Sequence, residues 1–380
     1  MKILKFLDSE SIKFLYDTLF IESDDANHKY SLLSKNVTDV LMGEYMESNM
    51  NVLKIPSTIS SIEGGAFSWC YNLKFVDFEK TSSIQYIGDA TFSECYKLET
   101  VLLPNDLQVI NKNMFKSCRS LKRVTLPNKL FKLEDSAFKA CISLKKIKLP
   151  EGLEYIGESC FQSCSNLINI NIPNSVKCIK SAAFQNCDKL QEIELSNKIK
   201  RLESFTFYYC KSLQRVILPK MLESIESNCF SLCTSLKTIY LPESLVSLED
   251  NVFNCCHKLN NIKLPDKIEV LNRNVFSCCN SLSNIKLPAS LKYIDYSCFN
   301  FTNIETLELN ENVKILPTYK MSLTSETLKN TQKDIKKRFL KQQNQFPFEH
   351  FLQDFIYRSP KGEPLFFTLN STTNSFNYFK

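Results

Sequence analysis

The chain has 380 residues, of which 43% are hydrophobic and 23% charged, a balance that excludes wholesale disorder. Seven Gly and 13 Pro exclude a collagen-like or linker-dominated chain, and no run approaches the roughly 18 apolar residues that span a membrane. The net charge of +6 is uneven: ten bases against five acids follow from Thr318 onward, so the remainder is near neutrality and is not a general polyanion binder.

The opening stretch, MKILKFLDSESIKFLY, has too short an apolar run before Asp8 and Glu10 for a conventional signal peptide. A reducing compartment is then the default, and disulfides are disfavoured there. Asp8 is placed to N-cap a helix whose Ile12, Leu15, Tyr16, Leu19 and Phe20 form one apolar stripe. Residues 1–50 therefore read as an N-terminal helical cap.

From residue 51 a 23-residue period takes over. Prolines stand at 104, 127, 150, 173, 219, 242, 265 and 288, with Ser196 filling the gap. Phenylalanines stand at 92, 115, 138, 161, 184, 207, 230, 253, 276 and 299, preceded by Phe67 at a spacing of 25. Cysteines stand at 95, 118, 141, 164, 187, 210, 233, 256 and 279, with Cys70 before them and Thr302 after. A period of this length marks a solenoid, in which each unit buries its apolar side only against its neighbours.

Within one unit, Ile239 and Leu241 alternate as a short strand with one buried face, and Pro242 marks where ladder pairing stops. Leu245 and Leu248 give a second extended segment toward the same core. Phe253, Cys256 and Leu259 lie three apart, a spacing that suits a helical or 3₁₀ turn.

Segments such as LPEGLEYIGESCFQSCSNL (149–167) and LPNDLQVINKNMFKSCRSL (103–121) resemble BspA-type leucine-rich repeats. The resemblance covers residues 51–317. It implies an α/β repeat solenoid, a right-handed leucine-rich repeat superhelix with a parallel sheet along one face. About eleven 23-residue coils with short strands and helical turns are expected, capped by helical flanks. Ser196 for Pro, Thr302 for Cys and Asn310 at the last proline position depart from the pattern, two of them in the final coil.

Residues 318–380 read as a C-terminal basic helical cap and tail. Leu328, Ile335 and Phe339 share a face of a predicted helix over 324–343, and Phe348, Phe351, Leu352, Phe355 and Ile356 form a second stripe. Covering the end of the stack is one role for them; docking the basic helix on an acidic partner or a membrane surface is another.

Ten of the 16 cysteines occupy the core-facing repeat position, where a free thiol behaves as a small hydrophobe. Cys160, Cys178, Cys229, Cys255, Cys278 and Cys298 lie outside it. Cys255–Cys256, Cys278–Cys279 and His257 gather enough ligand types for zinc or for a Cys–His nucleophile. Against both, Cys256 and Cys279 belong to the buried series and no CxxC spacing is present. There is no phosphate-cradling Gly-rich loop, no HExxH and no GxSxG, so neither enzyme activity nor a cofactor is expected.

The positions flanking the buried strand residue vary from coil to coil while the buried ones do not. Among these outward positions Phe75, Leu102, Ile217 and Tyr240 are candidate apolar anchors, and Arg123, Lys146, Lys148 and Arg215 candidate charged contacts. Nucleic acid is not the expected partner, because Asp77, Glu192 and Glu194 interrupt any basic stripe. The expected function is a non-catalytic scaffold that binds a protein partner on this face. The alternative is a surface antigen or adhesin, since the resemblance implies cell-surface relatives. The compartment stays open between the cytoplasm and the cell surface.

Overall fold

Each coil is three short segments joined by turns, and every segment has its own neighbour-to-neighbour hydrogen bonding. A computed structural model describes residues 39–79, 84, 86–304 and 307–316 in full. Outside them it gives the strands Tyr30–Leu32, Tyr357–Arg358, Pro364–Leu365, Phe367–Asn370 and Ser375–Tyr378. The predicted helices over 8–20, 324–343 and 348–356 lie outside the described residues.

The coil from Leu213 to Cys233 shows the logic. Its first strand, Arg215–Ile217, buries Val216 and exposes its neighbours, as period-2 alternation requires. Pro219 has no N–H to lose where pairing ends, and its carbonyl accepts from Leu222 N at 3.2 Å to start a turn. The second strand, Ser224–Ile225, buries Ile225. Leu213, Leu222, Ile225, Phe230 and Cys233 are fully buried, so three walls close on one core.

Parallel pairing repeats along both strand positions. The first ladder sets Glu192, Ile193 and Glu194 beside Arg215, Val216 and Ile217; the second sets Lys132 and Leu133 beside Tyr155 and Ile156. Stacked positions are neighbours, so opposite charges one coil apart meet: Lys122–Glu99, Lys177–Glu154 and Lys292–Glu269 each close to 2.8 Å. All are exposed, and such pairs contribute about 0–1 kcal/mol each.

The third segment corrects the sequence expectation. It is not helical, and among the described residues no segment is. In Asn228–Cys233, Ser231 N donates to Asn228 O and Cys233 N to Phe230 O, giving two successive turns. Asn228 and Leu232 have φ of 60° and 63°, which no helix tolerates. The intervening N–H groups leave the coil: Asn228, Phe230 and Leu232 donate to Asp250, Val252 and Asn254 of the next at 2.8–3.0 Å. A helix would spend these donors on itself, whereas here they form a third ladder.

The left-handed pair recurs in successive coils, as at Ser136/Ala140, Ser159/Ser163 and Asn251/Cys255. Among the described non-glycine residues in this conformation none is β-branched. Ala140→Val is therefore expected to lower unfolding free energy by about 1–3 kcal/mol, and Ala140→Gly to leave it unchanged or raise it by up to about 1 kcal/mol. Urea midpoints decide this, and equal stability for Val and Ala would remove the strain argument.

Inside, rings stack without a break. Tyr45 and the eleven phenylalanines from Phe67 to Phe299 lie with centroids 5.3–5.7 Å apart and planes within 3–18°. Tyr45 belongs to a coil that the sequence reading missed. Asp39–Val40 pairs with Ser61–Ile62, Tyr30–Leu32 pairs with Val52–Ile55, and Tyr45 and Glu47 donate to Ala66 and Ser68. The stack is therefore about twelve coils, and it begins before residue 51. In residues 318–380 the described elements are two antiparallel strand pairs, Tyr357–Arg358 with Pro364–Leu365 and Phe367–Asn370 with Ser375–Tyr378.

The departures from the repeat keep their turns by other means. Ser196 Oγ accepts from Lys198 N at 3.2 Å and donates to Asn174 O, and Asn310 Oδ1 accepts from Asn312 N at 3.3 Å. Both side chains hold by hydrogen bonding a turn that proline holds by its fixed φ.

Candidate functional site

The outward face of the first ladder carries two parallel columns of side chains. Register fixes them: Phe75 stands beside Thr100 and Thr100 beside Arg123, while Asp77 stands beside Leu102 and Leu102 beside Thr125. Farther along, Glu192 stands beside Arg215 and Glu194 beside Ile217. Where Lys146 and Lys148 lie, no strand is assigned, but Ser143 N to Arg119 O and Ile168 N to Lys145 O keep the coils stacked at 3.1 Å.

The structure gathers the eight sequence-derived candidates into three groups. Phe75 and Leu102, in adjacent coils, are only half-buried by their neighbours. Arg123, Lys146 and Lys148 occupy two successive coils, all exposed, and none appears in an ion pair among the described residues. Arg215 and Ile217 share one strand, and Tyr240 follows Ile217 in its column one coil on, 84% exposed. Arg215 lies between Glu192 and the Thr238 position, so its charge is locally balanced in a way that the Lys146 charge is not. From Phe75 to the Tyr240 coil is seven coil steps, or about 34 Å at the usual strand spacing.

Residues 38–168, 132–257 and 200–329 match the profile described as "BspA type Leucine rich repeat region", in six copies. The chain belongs to the BspA-type leucine-rich repeat family. A leucine-rich repeat protein from Bacteroides ovatus is similar at 22% identity and a TM-score of 0.57, covering 78% of this chain and 90% of that one. Pneumococcal vaccine antigen PcpA is similar at 22% identity and a TM-score of 0.45, covering 75% and 76%. A leucine rich cell surface protein from Faecalibacterium prausnitzii is similar at 24% identity and a TM-score of 0.42, covering 66% and 83%. A comparison with curated proteins gives no match.

In this BspA-type stack the repeat cysteine has a defined partner. Cys141 Sγ donates to Phe115 O at 3.1 Å, Cys187 to Phe161 O at 3.3 Å and Cys256 to Phe230 O at 3.2 Å. The same carbonyls accept the N–H of Cys118, Cys164 and Cys233 from their own coils. Burial pushes these thiols up, Cys164 to about 12, which keeps them protonated and unreactive.

Cys255 and Cys278 do not share that position; they hold the second left-handed site of the turn, with φ of 58° and 59°. His257 is exposed beyond them. Among the described residues no three His, Cys, Asp or Glu side chains group to hold a metal. No helix among them is long and apolar enough to cross a membrane.

The sequence reading passed over an aromatic corner on the residues flanking the repeat cysteine. Trp69 meets Tyr71 edge-on at 5.9 Å, Tyr71 meets Tyr96 at 5.3 Å, and the Arg119 guanidinium lies 4.9 Å from the Tyr96 ring. Tyr71, Tyr96 and Arg119 are each the residue after a repeat cysteine. Following that column down the repeat is the signal that would have found them.

Proposed function

We propose that this BspA-type stack is a non-catalytic scaffold that binds a protein partner on the outward face of its first ladder. The observation that carries the reading is the contrast between a core of near-identical coils and an outer face whose residues vary along the stack. Buried positions repeat Leu, Ile, Phe and Cys, while the column above them runs through Arg123, Lys146, Asn169, Glu192 and Arg215. A core so uniform holds the outer side chains at fixed spacing, which is the preorganisation that makes a contact surface selective.

The face divides the work between charge and burial. Arg123, Lys146 and Lys148 suit an acidic segment and set approach and orientation; Ile217 and Tyr240 offer apolar area to exclude water on contact. Asp77, Glu192 and Glu194 on the same face speak against a continuous polyanion.

Capture from source-cell extract on immobilised protein tests the reading. The Lys146→Glu/Lys148→Glu variant should lose the bound partner, more so at low salt. Tyr240→Ala should weaken the same partner by roughly 30-fold, as loss of a central aromatic anchor does. Undiminished capture by both variants would overturn the face assignment.

A further inference from the structure

Six thiols lie outside the repeat position, and among these Cys255 and Cys278 are the two that stand one coil apart; their placement differs from that of the ladder thiols in three ways. They occupy the same turn position in successive coils, both left-handed, in a ladder where Cys255 N donates to Ser277 O at 2.8 Å. In-register residues of stacked coils sit about 4.8 Å apart, within the roughly 4.4–6.8 Å between Cα atoms that a disulfide spans. Neither thiol is committed to a phenylalanine carbonyl: Cys255 Sγ reaches Asn254 Oδ1 at 3.4 Å, and Cys278 Sγ lies 3.8 Å from Ser277 Oγ. Third, Cys278 is half-exposed, whereas the repeat thiols are fully buried.

We infer that Cys278 and Cys255 form a redox-responsive thiol pair that reacts with small disulfides and closes into a clip between two adjacent coils. Cys278 is the attacking group. Hydrogen bonding from Cys255 and from Ser277 holds its pKa below the usual thiol range, against the opposing effect of burial. Cys255 is pushed up, first by that same interaction with Cys278 and then by burial, so it stays a protonated donor until Cys278 has reacted.

The chemistry balances without another reactant. The Cys278 thiolate attacks one sulfur of a small disulfide, whose S–S bond breaks; one small thiol leaves with the electron pair and takes a proton. Cys255 then gives its proton to solvent and attacks Cys278 Sγ in the mixed disulfide, and the second small thiol departs. Two protein thiols are oxidised and one small disulfide is reduced to two thiols. The adjacent ladder cysteines Cys256 and Cys279 do not compete, since they are buried and burial pushes their pKa up.

Glutathione disulfide added to the intact native chain, followed by peptide mapping, tests this. The expected product is a single Cys255–Cys278 bridge that dithiothreitol reverses. Cys255→Ser should stop at a glutathione adduct on Cys278, and Cys278→Ser should give neither adduct nor bridge. A bridge between ladder cysteines, or an unreacted Cys278 in the native chain, overturns the inference. If a variant does not fold, limiting iodoacetamide on the unsubstituted protein decides instead: Cys278 should be alkylated at least about tenfold faster than Cys256 or Cys279. Equal rates would count against the pair.

Discussion

Phe184→Ala is expected to lower the unfolding free energy by about 3–5 kcal/mol and to divide unfolding into two transitions. The ring is fully buried, with Phe161 at 5.5 Å on one side and Phe207 at 5.6 Å on the other. Removing it leaves a cavity and deletes two stacked contacts, each worth about 0.5–1.5 kcal/mol beyond area. The stacking loss falls on the coupling between coils, because the aromatic neighbours of each ring are the ring before it and the ring after it. In a stack held by nearest-neighbour terms, weakening the middle lets the two halves unfold apart. Phe299→Ala, with Phe276 as its ring neighbour at 5.5 Å, should do less and should keep a single transition. Urea unfolding followed by circular dichroism distinguishes these. Equal losses and one transition for both variants would mean that the stack unfolds as a single block.

The parts of this architecture that are legible in the sequence are those where a residue meets its own copies. Phe, Cys and Pro recur because their neighbours across the coil gap are Phe, Cys and Pro, so one good choice is good everywhere. The third segment is not legible in that way. Phe253, Cys256 and Leu259 are three apart, which fits a helical turn as well as two successive tight turns. What decides is the left-handed conformation at Asn251 and Cys255, and residues as unlike as Ala, Asn, Ser, Leu and Tyr take that conformation along the stack. Their shared property is the absence of a β-branch, which is too weak a signal to read forward.

The first coil was illegible for a related reason. Tyr45 replaces the ring and Ser48 stands where the cysteine would, so the motif vanishes while the stacking geometry survives: Tyr45 still lies 5.4 Å from Phe67, and its carbonyl still accepts from Cys70 Sγ at 3.2 Å. The outward candidates are legible as positions only. Alternation around Val216 tells that Arg215 and Ile217 point outward, but nothing inside the chain constrains what they meet.

The thiol ladder should make the protein fall apart at mildly alkaline pH. Why cysteine recurs is now clear: the site is apolar and small, yet it faces a phenylalanine carbonyl with a lone pair to spare, and a thiol is a small hydrophobe that still donates. The donation requires the proton. Burial pushes Cys95, Cys118, Cys141, Cys164, Cys187, Cys210, Cys233, Cys256 and Cys279 up in the folded chain. In the unfolded chain the same thiols lose protons near pH 8.5. Their folded pKa values are raised, so their contribution is fully present below about pH 8.5 and is lost as pH climbs toward the folded values. Each thiol removes about 1.4 kcal/mol per pH unit in that window, because the unfolded state has released a proton that the folded state retains. Nine acting together remove about 13 kcal/mol per pH unit, comparable to the roughly 5–15 kcal/mol of an ordinary domain, so a steep loss of structure is expected between about pH 9 and 10.5. Lysines and tyrosines titrate near the upper end of that range, and a control separates them. Cys141→Ala/Cys187→Ala removes two of the titrating groups and should make the transition measurably shallower, even though it lowers stability at neutral pH. An unchanged slope in that variant, or thiolate absorbance near pH 8.5 well beyond what Cys278 and Cys70 account for while the circular dichroism stays native, would show that the ladder thiols do not carry the alkaline transition.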